Sequence, residues 1–120
     1  NVYVDVGIGT VNLDSKLTVD GTIRSEEIKV EIVNGPDYVF KDNYDLRSLE
    51  DTKAYIAKNK HLPEVPSAKE MEGEGVALGE MNMLLLKKIE ELTLHLIDQN
   101  ERLKMLEEEN ESLKSSLKPD

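Results

Sequence analysis

Residues 79–117 read GEMNMLLLKKIEELTLHLIDQNERLKMLEEENESLKSSL, and their apolar side chains recur at alternating spacings of three and four. Written as heptads, Asn82, Ile89, Leu96, Leu103, Asn110 and Leu117 occupy position a, and Leu85, Leu92, Gln99, Leu106 and Leu113 occupy position d. A stripe this narrow, sustained over about five heptads, is what a helix needs to pair with copies of itself. At 1.5 Å per residue the helix is roughly 57 Å long, more than a globule of this size could cover. The pattern therefore predicts a projecting helix and an oligomer joined through Leu85, Ile89, Leu92, Leu96, Gln99, Leu103, Leu106, Asn110, Leu113 and Leu117.

The helix changes character along its length. Met83, Leu86, Leu94 and Ile97 form a second apolar stripe outside the a/d seam, so the first half is expected to be buried on two sides. Beyond Ile97 the outer face becomes Glu101, Arg102, Lys104, Glu107, Glu108 and Glu111, the composition of a solvated coiled-coil flank. Gln99 and Asn110 place amides on the axis of a symmetric bundle, where they fix register at some cost in stability.

Residues 1–78 offer little core. The chain has one Phe, four Tyr and no Trp, and charged residues make up 33 % of it. A net charge of −10 with no clustering of the 15 Lys and Arg argues against nucleic acid, which requires a basic patch. There is no cysteine for disulfide or thiolate chemistry. The longest apolar run, Met83 to Leu86, is far short of a membrane span. The chain starts without Met or a signal peptide and reads as a fragment of something longer.

From the N-terminus, Val2–Ile8 alternates apolar and polar side chains as a strand does, and Gly7 and Gly9 mark a kink or close backbone approach. Lys16–Val19 predicts a second strand, Asp20-Gly21 a tight turn before Thr22–Arg24, and Glu26–Val33 a further half-buried strand carrying Ile28, Val30 and Ile32. So few short strands cannot make a stable sheet alone and call for partner chains. Asn34-Gly35-Pro36 ends this region. Tyr38-Val39-Phe40 is expected to lie under the next helix, which Ser48 caps and which runs from Leu49 to about Asn59. His61–Pro66 reads as an extended connector because the residue before each proline is pushed from helical angles. Ser67 and Glu70 open a short helix that Gly73 and Gly75 end. The predicted organisation is a β-shaft segment over 1–34, a small α/β collar over 35–78 packed on the second stripe, and a long helix over 79–118.

Two regions resemble known groups. Val6-Gly7-Ile8-Gly9-Thr10 with Lys16-Leu17-Thr18-Val19-Asp20-Gly21-Thr22-Ile23-Arg24 resembles the repeats of phage and bacterial tail-fibre shafts. Tyr38-Val39-Phe40, His61-Leu62-Pro63-Glu64-Val65-Pro66-Ser67-Ala68-Lys69-Glu70 and Leu78-Gly79-Glu80-Met81-Asn82 onward are similar to the C-terminal region of tail-fibre-domain proteins of Bacteroidetes-type bacteria. The layout is similar to the intramolecular chaperone domain at the end of endosialidase-type fibres. The resemblance implies an elongated α+β homotrimer with an intertwined β shaft, a collar and a parallel coiled coil. It further implies a virion tail fibre or an extracellular, cell-surface appendage, and a coil that brings three chains into register. Trimer comes from the resemblance alone, since the heptads permit a dimer as well.

The chaperone group often cuts itself at a serine in a Ser-Asp motif with a following Lys. The nearest match here, Ser25-Glu26-Glu27-Ile28-Lys29, has Glu for Asp and a shorter gap. On a strand Ser25 and Lys29 stand roughly 13 Å apart, too far for activation of a nucleophile, so the expectation is no enzyme. His61 and His95 are not placed together and no metal or cofactor is expected. Gly7-x-Gly9 lacks the third glycine of a nucleotide fold, and the 107–111 Glu run lacks a calcium-loop pattern. The function expected is trimerisation and folding nucleation at a fibre end. The alternatives are a self-cleaving chaperone and an adhesive tip contacting a cell-surface receptor, with Tyr44 and Tyr55 as candidate contacts.

Overall fold

A computed structural model of the chain describes residues 4–32 and 35–118. The expected strand start at Val2 and Tyr3, the expected strand end at Val33, Asn34 of the expected turn, and Pro119 lie outside them. The architecture is α+β, with strands β1 (Val6–Ile8) and β2 (Leu17–Val19), a 3₁₀ turn (Asp37–Phe40), and helices α1 (Leu49–Asn59), α2 (Ala68–Glu74) and α3 (Leu78–Leu117). Two units divide the chain, Asn1–Val30 and Glu31–Asp120. No helix among the described residues is long and apolar enough to cross a membrane.

In the first unit β1 and β2 pair in parallel, Val6 opposite Leu17 and Ile8 opposite Val19. Their connection, residues 9–16, is shorter than the crossover parallel strands ordinarily need. Glycine makes it feasible. Gly9 sits at φ +78°, and a Cβ there would meet the Asp20 carbonyl oxygen at 2.8 Å; at Gly7 it would meet Leu13 and the Thr10 carbonyl oxygen at 2.5 Å. Asp20-Gly21 does not fold back as expected. The Asp20 amide donates to the Ile8 carbonyl at 2.9 Å, which continues the parallel ladder and carries the chain onward rather than into a hairpin. Glu26–Ile32 forms no strand, and Ile28, Val30 and Ile32 are exposed.

The second unit is built on helix ends that the sequence announces. The Asp51 amide donates to Ser48 Oγ at 3.1 Å, and the Glu70 amide to Ser67 Oγ at 3.2 Å, with the Ser67 hydroxyl returning a bond to Glu70 Oε1. These caps satisfy amides that the first helical turn leaves unpaired. α1 stops at Lys60 in a left-handed conformation and α2 at Gly75. Residues 61–66 are not extended. The Val65 amide donates to the Leu62 carbonyl at 3.2 Å across Pro63 and Glu64, and Glu64 has φ +69°. This is the signature of a type II turn: the proline rule restrains Leu62 and Val65 but leaves Glu64 free to reverse the chain. Among the described residues no strand forms between 35 and 78, so this region lacks the β part of the expected α/β collar.

Val39 is 1 % exposed, the one apolar side chain fully buried among the described residues. The 3₁₀ turn that carries it packs on α3 rather than under α1. At 40 residues α3 is about 60 Å long, so most of its surface lies beyond the reach of the short segments before it.

Candidate self-association interface

The segments before α3 occupy one face of it. Gly79 and Glu90 are buried there, with Met83, Lys87, Lys88, Glu91, Leu94 and His95 half-buried around them. At about 100° per residue, the line through Gly79, Met83, Lys87, Glu90 and Leu94 is centred roughly 150° around the helix from the line through Leu85, Ile89, Leu92 and Leu96. The collar thus leaves the heptad seam open. Along the seam the apolar side chains range from 43 % exposed at Leu85 to 80 % at Leu117. From Leu96 to Lys118 every described residue is exposed, Gln99 and Asn110 among them. Of the second stripe, Met83 and Leu94 are half-buried while Leu86 and Ile97 stay exposed, so the collar covers only part of it.

Several polar contacts join Val39 in holding the collar on α3. Glu64, projected from the type II turn, accepts from Lys87 Nζ at 2.6 Å and Lys88 Nζ at 2.9 Å, and Lys88 also pairs with Glu91 at 3.1 Å. The Tyr44 hydroxyl donates to Glu91 Oε2 at 2.6 Å. His95 Nε2 donates to the Arg47 carbonyl at 3.0 Å, since a carbonyl can only accept. Burial opposes ionisation of Glu64, but the Lys87 and Lys88 ammonium groups outweigh it and hold its carboxyl below the usual carboxylate range. Burial would likewise lower Lys87, and Glu64 instead holds it above its ordinary value. Burial, then the bond to Glu91, pushes the Tyr44 phenol up to about 12.

Glu90 is the exception. It is 6 % exposed, its Oε2 has no hydrogen-bond partner, and burial, with the Asp37 carboxylate adding to it, pushes its carboxyl upward. The two glutamates therefore act in opposite directions. Ionised Glu64 stabilises the collar above its ordinary pKa of 4.5, and that contribution disappears as pH falls through its depressed value. Neutral Glu90 favours the fold below that ordinary value, and the advantage is lost as pH rises through its raised one. At neutral pH, Glu64→Gln is expected to destabilise the collar by about 1 kcal/mol or less, because the side chain is half exposed, and so to lower its melting temperature. Glu90→Gln is expected to raise it. Tyrosine-detected melting from neutral to acid pH checks both, and each difference from the parent shrinks on acidification.

Apolar periodicity does not single out Lys87, Lys88, Glu64 or Glu91. The available signal is the pair of lysines interrupting the second stripe, together with a Pro-Glu turn upstream. Tyr44 and Tyr55 are engaged within the collar: Tyr55 is edge-on to His61 at 5.5 Å, with the Arg47 guanidinium 5.3 Å from its ring centre. His61 Nδ1 donates to the Leu62 carbonyl at 2.8 Å, apart from His95 and its partner. Among the described residues no three acidic or histidine side chains converge as a metal site. Ser25 and Lys29 lie in the exposed segment after β2, with no hydrogen bond joining them. No family model matches the chain, and comparison with curated proteins and with solved structures returns no match.

Proposed function

We propose that this chain is the C-terminal trimerisation and folding-nucleation end of an extracellular tail fibre or fibre-like appendage. The observation that carries the reading is the open seam: an apolar stripe running the length of a 40-residue helix, left uncovered because the collar takes the other face. Three such helices in parallel remove Leu85, Ile89, Leu92, Leu96, Leu103, Leu106, Leu113 and Leu117 from water together. The bundle then raises the local concentration of the β segments, whose exposed Ile28, Val30 and Ile32 have no partner strand among the described residues. The fibre setting rests on the resemblance of the Gly-Ile-Gly-Thr and Leu-Pro-x-x-Pro-Ser-Ala segments, with no catalytic step assigned.

Light scattering over a wide concentration range tests it, with mass spectrometry to establish an intact chain. Three times 13.5 kDa, uncut, is the expected mass. Removing residues 99–120 is expected to reduce trimer yield several-fold while the 3₁₀ turn stays docked on the first half of α3, since all collar contacts precede Asp98. An unchanged yield counts against nucleation, and a monomeric parent against the whole reading.

A further inference from the structure

The heptads assign more than the seam. Position g is held by Lys88, His95, Arg102, Glu109 and Ser116, and position e by Leu86, Thr93, Asn100, Glu107 and Lys114. The collar uses the first two g residues, since Lys88 is tied to Glu64 and Glu91 and His95 to the Arg47 carbonyl. Arg102 and Glu109 carry no collar contact. Arg102 reaches Asp98 one turn back at 3.1 Å, an exposed pair that holds little energy and is readily exchanged for another partner.

In parallel helices at equal height, a g residue faces the e residue five positions on in the neighbour. That rule sets Arg102 against the neighbour's Glu107, and Glu109 against its Lys114. Both pairs are opposite in sign. A slip of one heptad reverses this, bringing Arg102 against Lys114 or Glu109 against Glu107, with Gln99 and Asn110 packed on leucines. An antiparallel pair that still buries the whole seam fares no better, setting Asn110 against Leu92 and Gln99 against Leu103. Among arrangements that bury the whole seam, only the parallel, unslipped one satisfies the charges and stacks amide on amide.

We propose that Arg102, Glu107, Glu109 and Lys114 form an interchain charge code by which this helix pairs with copies of itself, parallel and in register, and rejects staggered ones. The code rests on the self-association reading above and names the partner and its alignment. It lies wholly in the half of α3 that the collar leaves bare, so alignment is set where the helices are free to meet.

The test uses the full chain, which lacks cysteine. Glu107→Lys with Lys114→Glu makes both pairs repulsive, and association at low salt is expected to weaken by about tenfold or more. Adding Arg102→Glu and Glu109→Lys restores opposite signs, and association should recover. Separately, Leu117→Cys should crosslink under mild oxidation, because only parallel, in-register copies bring this position near itself. An associated parent whose affinity ignores the double variant, fails to recover in the quadruple variant, or forms no crosslink when it carries Leu117→Cys overturns the code while leaving self-association intact. A parent that is monomeric by light scattering overturns both.

Discussion

Leu103→Asp is expected to leave the chain monomeric, with its scattering mass falling to 13.5 kDa, at concentrations where the parent is associated. Leu103 sits at heptad position a, 55 % exposed, and every described residue from Leu96 onward is exposed. The substitution therefore leaves the docking of the collar on α3 untouched. In a bundle each copy forfeits about 2 kcal/mol of apolar burial. In the trimer proposed above, three copies forfeit about 6 kcal/mol, roughly four powers of ten in the association constant before repulsion between the carboxylates is counted. A helix segment of about twenty residues without a partner is also marginal in water, so the far half of α3 should lose helical circular dichroism. Leu103→Met should retain mass and helicity, separating loss of burial from loss of side-chain shape. An unchanged mass for Leu103→Asp would mean that the helices meet along a different line or not at all.

How much of this was legible beforehand depended on whether the physics was local. α3, expected from Gly79 to Leu117, spans Leu78–Leu117, because a sustained heptad repeat needs no information from elsewhere in the chain. The Ser48 and Ser67 caps were readable for the same reason: a hydroxyl and an amide three residues apart meet within one turn. Gly7 and Gly9 marked a close approach, although not the parallel pairing it permits. Asp20-Gly21 misled because a turn signal was outweighed by a ladder bond to Ile8, a partner twelve residues away. The collar face is only partly legible, for a related reason. Apolar periodicity pointed to Met83, Leu86, Leu94 and Ile97, whereas much of the contact is made by Lys87, Lys88, Glu91 and His95, whose partners Glu64, Tyr44 and Arg47 lie far off in sequence. Polar docking of this kind has no sequence period.

Because the seam and the collar face are separate, the reciprocal substitution should have the reciprocal effect. Val39→Asp is expected to release the collar from α3 while leaving the associated mass unchanged. Val39 is 1 % exposed and is the anchor of the 3₁₀ turn, and the helix beneath that turn already holds Glu90, buried and unpartnered, near Asp37. A new carboxylate in this spot has no cation beside it: Lys87 and Lys88 are both committed to Glu64. Burying an unpaired charge costs about 3 kcal/mol or more, whereas Val39→Ala loses only about 2 kcal/mol of apolar contact. The remaining attachments, partly exposed ion pairs and two side-chain hydrogen bonds each worth roughly 1 kcal/mol or less, start from Glu64, Tyr44 and Arg47 rather than from the 3₁₀ turn, so they do not hold the turn itself in place. With no tryptophan in the chain, tyrosine emission reports the change directly, since Tyr44 would lose its bond to Glu91 and Tyr38 its place 5.7 Å from Lys87. Faster amide exchange across residues 35–66, at constant scattering mass, is the expected pattern. If the mass falls as well, the collar is required for the helices to associate, and the two faces of α3 are one cooperative unit.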